Sequence, residues 1–283
     1  MKILLVGCMF YEGSTLLYVS QALSNLGHYV LFWNVATGKN TIPSEEYDLA
    51  IVWGNRPLDR NVFKKKVVYI YIDDPDYHKT NGVKQFETVI QGYENVFTVN
   101  KVGGYNWLPL GCLKDVHGKI NSTDDMKRYY GSDVVFIGTK RDTREKLCKY
   151  IFDHLDKKYT FKIWGNDWHG LYPEPKPAYY YQYASVMSNC KIVVTEHYKN
   201  APSTGDCEKP AFGGALMITD HSLIKEEYPT IPLYNNFEEL MDIIHYYLEH
   251  EDERKKIVEE NQHIAFRKFD YETQLKKMID QVM

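Results

Sequence analysis

The sequence predicts an α/β chain of two doubly wound parallel-sheet domains that face each other across a cleft. Three observations carry this expectation. Short apolar runs of strand character alternate with helical patterns. The alternation stops at a polar stretch, Gly118 to Gly131, and then starts again. The chain has 283 residues, long for one core and natural for two. Hydrophobic residues make up 44% and charged residues 25%, so two packed interiors can be filled and disorder is not expected.

In the first half, Lys2 to Val6 reads as a buried strand ending at Gly7. A helical pattern follows from Ser14 to Leu26, with Gly27 as its C-cap. His28 to Trp33, Tyr47 to Trp53, Val67 to Ile72 and Asn95 to Val99 are the next strands. In the second half, strand Asp133 to Ile137 leads through Gly138 to a helix over Thr143 to Leu155. Strand Thr160 to Trp164, helix Tyr179 to Ser188 and strand Lys191 to Thr195 come next. A helix begins near Cys207, followed by strand Ala215 to Thr219 and two charged amphipathic helices, Phe237 to His250 and Asp252 to Phe266. The polar stretch divides the chain into 1–125 and 126–283, with the last helix free to pack back on the first domain.

The formal net charge of -4 argues against a general polyanion binder. Five scattered cysteines without a CxxC pair point to reduced thiols in a cytoplasmic protein, not to a metal knuckle. The opening MKILLVGCMF is followed at once by Tyr11 and Glu12, which suits a first strand better than a signal peptide. No apolar run approaches the roughly 20 residues that cross a bilayer. The 24 tyrosines, several of them between Tyr179 and Tyr183, serve either as half-buried packing or as a stacking platform.

Candidate chemistry gathers where predicted strands end, since ligands of open parallel sheets lie beyond the carboxyl ends. Thr204-Gly205-Asp206 opens the helix that carries Glu208, and a helix N-terminus suits a diphosphate. Glu208 either accepts the two ribose hydroxyls of a nucleotide or only complements the helix dipole. Gly138 leads into Lys140 and Arg141, with Arg144 one turn on. These side chains either neutralise a departing diphosphate or form a solvated face. Trp164-Gly165-Asn166-Asp167-Trp168 either holds a base or belongs to the core. On the acceptor side, Gly13 and Ser14 lie in the first strand-to-helix loop, which lacks the GxGxxG fingerprint. Asp73 and Asp74 follow the fourth strand, and one of them is the candidate general base; turn chemistry before Pro75 is the competing role. No HExxH or comparable metal spacing occurs, and Asp74-Pro75-Asp76 is a weak DxD.

These motifs together resemble one family. Asp73-Asp74-Pro75, Leu108-Pro109-Leu110-Gly111, Asp133 to Gly138 with Arg144, Trp164 to Trp168 and Gly205 to Asp220 fall in the order seen in the CgeB-like, spore-maturation-protein B-like glycosyltransferases. That family is a branch of the GT-B superfamily. The segment around Glu208 is similar to the family's donor helix, with Cys207 where an aromatic residue is usual. The resemblance implies two Rossmann-like domains and a hexosyl transfer from a UDP-sugar such as UDP-glucose, with the donor mostly in the second domain. It implies no cofactor and no metal, because basic side chains and helix dipoles stabilise the leaving diphosphate. The acceptor hydroxyl is left among a glycan, a metabolite, a protein and a modified base in DNA. A non-catalytic nucleotide or nucleotide-sugar sensor of the same fold is the alternative.

Overall fold

The computed structural model describes residues 1–7, 14–35, 46–72, 86–170, 176–179, 181–196 and 205–283, with the backbone alone for 205–207. They form two compact units: Met1–Leu113 with Phe269–Met283, and Lys114–Lys268.

The first unit carries strands β1 (Lys2–Gly7), β2 (Tyr29–Asn34), β3 (Leu49–Gly54), β4 (Lys66–Tyr71), β5 (Asn95–Thr98) and β6 (Asn106–Trp107). All pair in parallel, in the order β2-β1-β3-β4-β5-β6. Ile3, Leu4, Leu5 and Val6 are all fully enclosed, so both faces of β1 are covered. That is why β1 reads as an unbroken apolar run and not as an alternation. Leu4, Val6, Ala50, Val52 and Tyr69 pack with α2 (Phe86–Ile90) on one face. Helix α1 (Thr15–Asn25) buries Leu16, Val19 and Leu23 and packs against α10 (Tyr271–Val282). Strand β6 has two residues and no apolar run, so periodicity does not reveal it.

Two backbone hydrogen bonds bring the C-terminal segment into this unit. Cys112 N donates to the Phe269 carbonyl and Tyr271 N donates to the Cys112 carbonyl, both at 2.9 Å. A Cβ on Gly111 would lie 2.5 Å from the Phe269 carbonyl oxygen, so only glycine permits the approach. Asp270 caps α10 by accepting from Thr273 N, and Asn25 donates to Glu272 at 2.6 Å.

The second unit carries β7 (Ser132–Ile137), β8 (Phe161–Trp164), β9 (Cys190–Thr195) and β10 (Leu216–Thr219), parallel and ordered β10-β9-β7-β8. Its helices are α3 (Lys114–His117), α4 (Asp124–Tyr130), α5 (Asp142–His154), α6 (Tyr181–Ser188), α7 (Gly205–Gly213), α8 (Phe237–Glu249) and α9 (Glu251–Lys268). Leu147 and Ile151 of α5 and Leu240 and Ile244 of α8 pack with Val134, Phe136, Ile192 and Val194. Val186 and Met187 of α6 pack with Val135 and Val193, the alternate strand positions. Helix α7 lies so close to α6 that a Cβ on Gly213 would sit 2.2 Å from that of Met187.

The polar stretch 118–131 is folded onto this unit. Ile120 N donates to Ser188 Oγ at 3.0 Å and Asn189 Nδ2 donates to Ser122 Oγ at 2.7 Å. It reads as a linker because α4 buries no residue fully. The first unit therefore closes at Leu113 and not at 125, and residues 269–283 belong to it. Among the described residues no helix is long and apolar enough to cross a membrane. Among the described residues Cys112, Cys148 and Cys190 are buried, and burial pushes the Cys190 thiol up to about 12.

Asp133 pins the start of β7. Its carboxylate accepts from Thr160 N at 2.8 Å and Thr160 Oγ1 at 2.9 Å and pairs with Lys191 at 2.7 Å. Burial acts to raise its pKa, but the bonds from Lys191 and Thr160 prevail and hold it below the ordinary value. A folded-state pKa below the unfolded one stabilises the fold above the unfolded value of about 3.9. The contribution is lost as pH falls through the folded pKa. Asp133→Asn should therefore be less stable than the parent at pH 7 in urea unfolding, and the difference should shrink below about pH 4. A gap that stays constant on acidification would remove this account.

Candidate active site

In the second unit, the connection from β7 leads to β8 on one side, and the next returns across β7 to β9 on the other. The crevice beyond the carboxyl ends of β7 and β9 is a topological switch point, where open parallel sheets hold ligands. Three segments meet that edge: Gly138–Arg141 after β7, Gly165–Trp168 after β8, and Glu196 after β9.

The first two are joined backbone to backbone. Gly138 N donates to the Trp164 carbonyl at 2.9 Å, Lys140 N to the Asn166 carbonyl at 3.0 Å, and Trp168 Nε1 to the Gly138 carbonyl at 2.7 Å. Gly165 has φ +147°, and a Cβ there would lie 2.0 Å from the Gly138 carbonyl oxygen. A side chain is excluded on both grounds.

Around this frame stand the basic residues. Arg141 is the N-cap of α5 and is exposed. Lys140 is half-buried and pairs with Glu145 at 2.8 Å. Arg144, in the first turn of α5, turns back over the end of the sheet. Its Nε donates to Glu196 Oε2 at 3.2 Å, Nη2 to the Glu196 carbonyl at 3.4 Å and Nη1 to the Thr139 carbonyl at 3.1 Å. Its guanidinium carbon lies 5.8 Å from the centre of the Phe136 ring. A Cβ on Gly138 would come within 2.9 Å of Arg144 Nη1, so this glycine leaves room for the arginine. Glu208, on α7, is fully enclosed.

Three comparisons bear on this arrangement. Residues 140–280 match a family model described as glycosyl transferase-like. Among solved structures, Alr3699/HepE of Anabaena in complex with UDP-glucose matches at 12% identity and a TM-score of 0.71, over 99% of each chain. The chain is a glycosyltransferase of the GT-B fold. A sucrose-phosphate synthase of Thermosynechococcus elongatus is also similar to this glycosyltransferase, at 11% identity and a TM-score of 0.64 over 99% of this chain and 98% of that one. A glycosyltransferase of Rickettsia africae gives 12% and 0.64, over 99% of this chain and 97% of that one. No curated protein matches the glycosyltransferase by sequence.

The structure brings Gly138, Lys140, Arg144 and Gly165 together at one sheet edge, with Arg141 beginning the helix beside them. Trp164 is placed otherwise: it is buried and stacked on Tyr130, with ring centres 5.5 Å apart. Trp168 is enclosed against Phe136. Both rings serve the core, so the loop after β8 offers the edge its backbone and Asn166, whose Nδ2 meets Tyr179 Oη at 3.3 Å. Gly205 and Asp206 open α7. Gly13, Asp73, Asp74 and Thr204 lie outside the described residues. Ser14 is the buried N-cap of α1 and lines a cavity of about 290 Å³ at the carboxyl ends of β1, β3 and β4. Ile72, which precedes Asp73 in the chain, lines the same cavity, as do Asn55 and Arg56. Glu196, which meets Arg144, and Arg56, which lines the cavity, were not singled out by sequence reading. Each follows an apolar strand closely, but what it stands beside depends on which strands are neighbours.

Gly165→Ala should destabilise the protein by at least about 2 kcal/mol, from backbone strain and the clash with Gly138 together. Urea or thermal unfolding of the second unit reads this directly. A near-parental midpoint would mean that the two loops are not held as close as described.

Proposed function

We propose that this glycosyltransferase moves a hexosyl group from a UDP-sugar, UDP-glucose in the first instance, to an acceptor hydroxyl, as a CgeB-like enzyme. The observation that carries the reading is the basic, glycine-built edge at the β7–β9 switch point, whose Lys140, Arg141, Arg144 and Gly165 fall within the segment that matches the family model. The choice of uridine follows the HepE complex with UDP-glucose.

On this reading the nucleotide lies in the second unit. Lys140, Arg141 and Arg144 meet the diphosphate, and Gly138 and Gly165 let it approach the backbone. Thr204, Gly205 and Asp206 serve the phosphates, as residues at a helix N-terminus can, and Glu208 takes the ribose hydroxyls. The backbone of the Trp164–Gly165 turn reads the base. As the bond from the anomeric carbon to the diphosphate oxygen breaks, negative charge grows on the leaving group and fixed cations stabilise it. No cofactor enters, and the cations are side chains, so divalent metal is dispensable. The first unit takes the acceptor, with Gly13 and Ser14 as acceptor-side residues. Asp73 or Asp74 removes the hydroxyl proton as the oxygen attacks the anomeric carbon. The acceptor belongs to a glycan, a metabolite or a modified DNA base, and the enzyme works in the cytoplasm.

Glu208→Gln, which keeps the shape of an enclosed carboxylate, should weaken UDP binding by about 1–3 kcal/mol in calorimetry. Transfer by the parent should survive EDTA. Unchanged UDP affinity in the folded variant would move the ribose elsewhere, and a loss in EDTA restored by Mg²⁺ or Mn²⁺ would establish a metal.

Asp73→Asn and Asp74→Asn, made separately, should differ. One should lower turnover by about 10²–10⁴-fold with UDP affinity kept. The other should mainly lower stability, as a turn residue before Pro75 does. Near-native turnover in both would remove the base. UDP binding with no transfer to any acceptor would favour the non-catalytic nucleotide sensor.

A further inference from the structure

The two ion pairs beside the β7 loop are built differently. Lys140 meets Glu145 through one contact, and about half of the Glu145 side chain is exposed. Such pairs are worth little and exchange partners readily. Arg144 and Glu196 are only 15% and 20% exposed, and three hydrogen bonds hold the guanidinium. Two of these go to Glu196, one to its carboxylate and one to its carbonyl; the third goes to Thr139. The two residues are 52 apart in sequence and meet because β9 lies beside β7. Arginine has five N–H groups in a fixed planar fork. With three engaged, two remain, and the Phe136 ring and the Gly138 backbone limit how the fork can turn.

A carboxylate at this place is costly for an enzyme that binds a diphosphate. By charge alone, Glu196 repels the donor and offsets part of the positive charge of Arg144. Its presence is reasonable if what it contributes is position. A long side chain already ordered loses less freedom when it meets its ligand.

We propose that Glu196 is a positioning residue: it fixes Arg144 across the β7–β9 switch point so that the two remaining N–H groups stand ready for an oxyanion of the donor diphosphate. This rests on the reading that the donor binds in the second unit. The charge and the position of Glu196 act with opposite signs, so two substitutions separate them. Glutamine removes the charge and keeps a carbonyl acceptor for Nε; alanine removes both.

The test is calorimetric titration of the parent, Glu196→Gln and Glu196→Ala with inorganic pyrophosphate and, separately, with UDP, after melting curves confirm folding. Glu196→Gln should bind pyrophosphate as tightly as the parent or more tightly. Glu196→Ala should bind it about tenfold more weakly, the factor that one charge-assisted hydrogen bond supplies. In an Arg144→Ala background, Glu196→Ala should cause no further loss, because the two act as one unit. If alanine prevents folding, Glu196→Asp keeps the charge and retracts the acceptor, and it should weaken pyrophosphate binding in the same direction. A folded Glu196→Ala that binds pyrophosphate as well as the parent, or a parent that binds none, overturns the proposal. The split between glutamine and alanine with pyrophosphate, in a parent that gains nothing from UDP over pyrophosphate, would uphold the positioning role and reject the uridine donor.

Discussion

The contact on which the second unit's site depends is the approach of the Gly165 backbone to the Gly138 carbonyl. It joins the loops after β7 and β8 so closely that a Cβ on Gly165 would run into the Gly138 carbonyl. Trp168 donates to the same carbonyl, and Lys140 N is held by Asn166. The loop that carries Lys140 and Arg141 is therefore fixed by backbone bonds and leaves its side chains for other partners. A site built from main-chain bonds stays in place when its charges change partners, which preorganised electrostatics requires.

The same edge shows how charge is handled near a packed core. Lys140 and Arg144 each have a carboxylate beside them: Glu145 for Lys140 and Glu196 for Arg144. A cluster of unpaired cations would repel itself in the absence of ligand. The exposed pair opens at little cost, whereas the enclosed pair costs more to separate, so the two cations take unequal parts. Tyr234 reflects the acidic surroundings. Its hydroxyl donates to the Thr195 carbonyl, and burial, followed by the charges of Asp220 and Glu196, pushes its pKa well above the ordinary phenol value.

Much of the fold was legible because its signals are local. Strands enclosed on both faces demand continuous apolar runs, as in KILLVG and CKIVVT, and helices between them carry a 3.6-residue period. Strand and helix ends moved by one or two residues against expectation, since caps and not periodicity decide them. The short β6 and the packed stretch 118–131 were missed for the opposite reason. One has no apolar run, and the other is attached by polar groups such as Ser122 and Ser188.

For the site, the sequence by itself determined which residue types stand at strand ends: the glycine of Gly138, the basic run through Arg144, the turn after Trp164 and the acid on the helix that follows Thr204. These are set by neighbours within a few positions, where steric and capping rules operate. Only the tertiary structure decided what those residues do with one another. Parallel pairing is made by backbone groups that are alike in every strand, so no local pattern says that β9 lies beside β7 and not beside β8. That order brings Glu196 to Arg144. The packing of the two faces sends Trp164 and Trp168 into the core, and a glycine at 111 admits the Phe269 carbonyl and returns the last helix to the first unit.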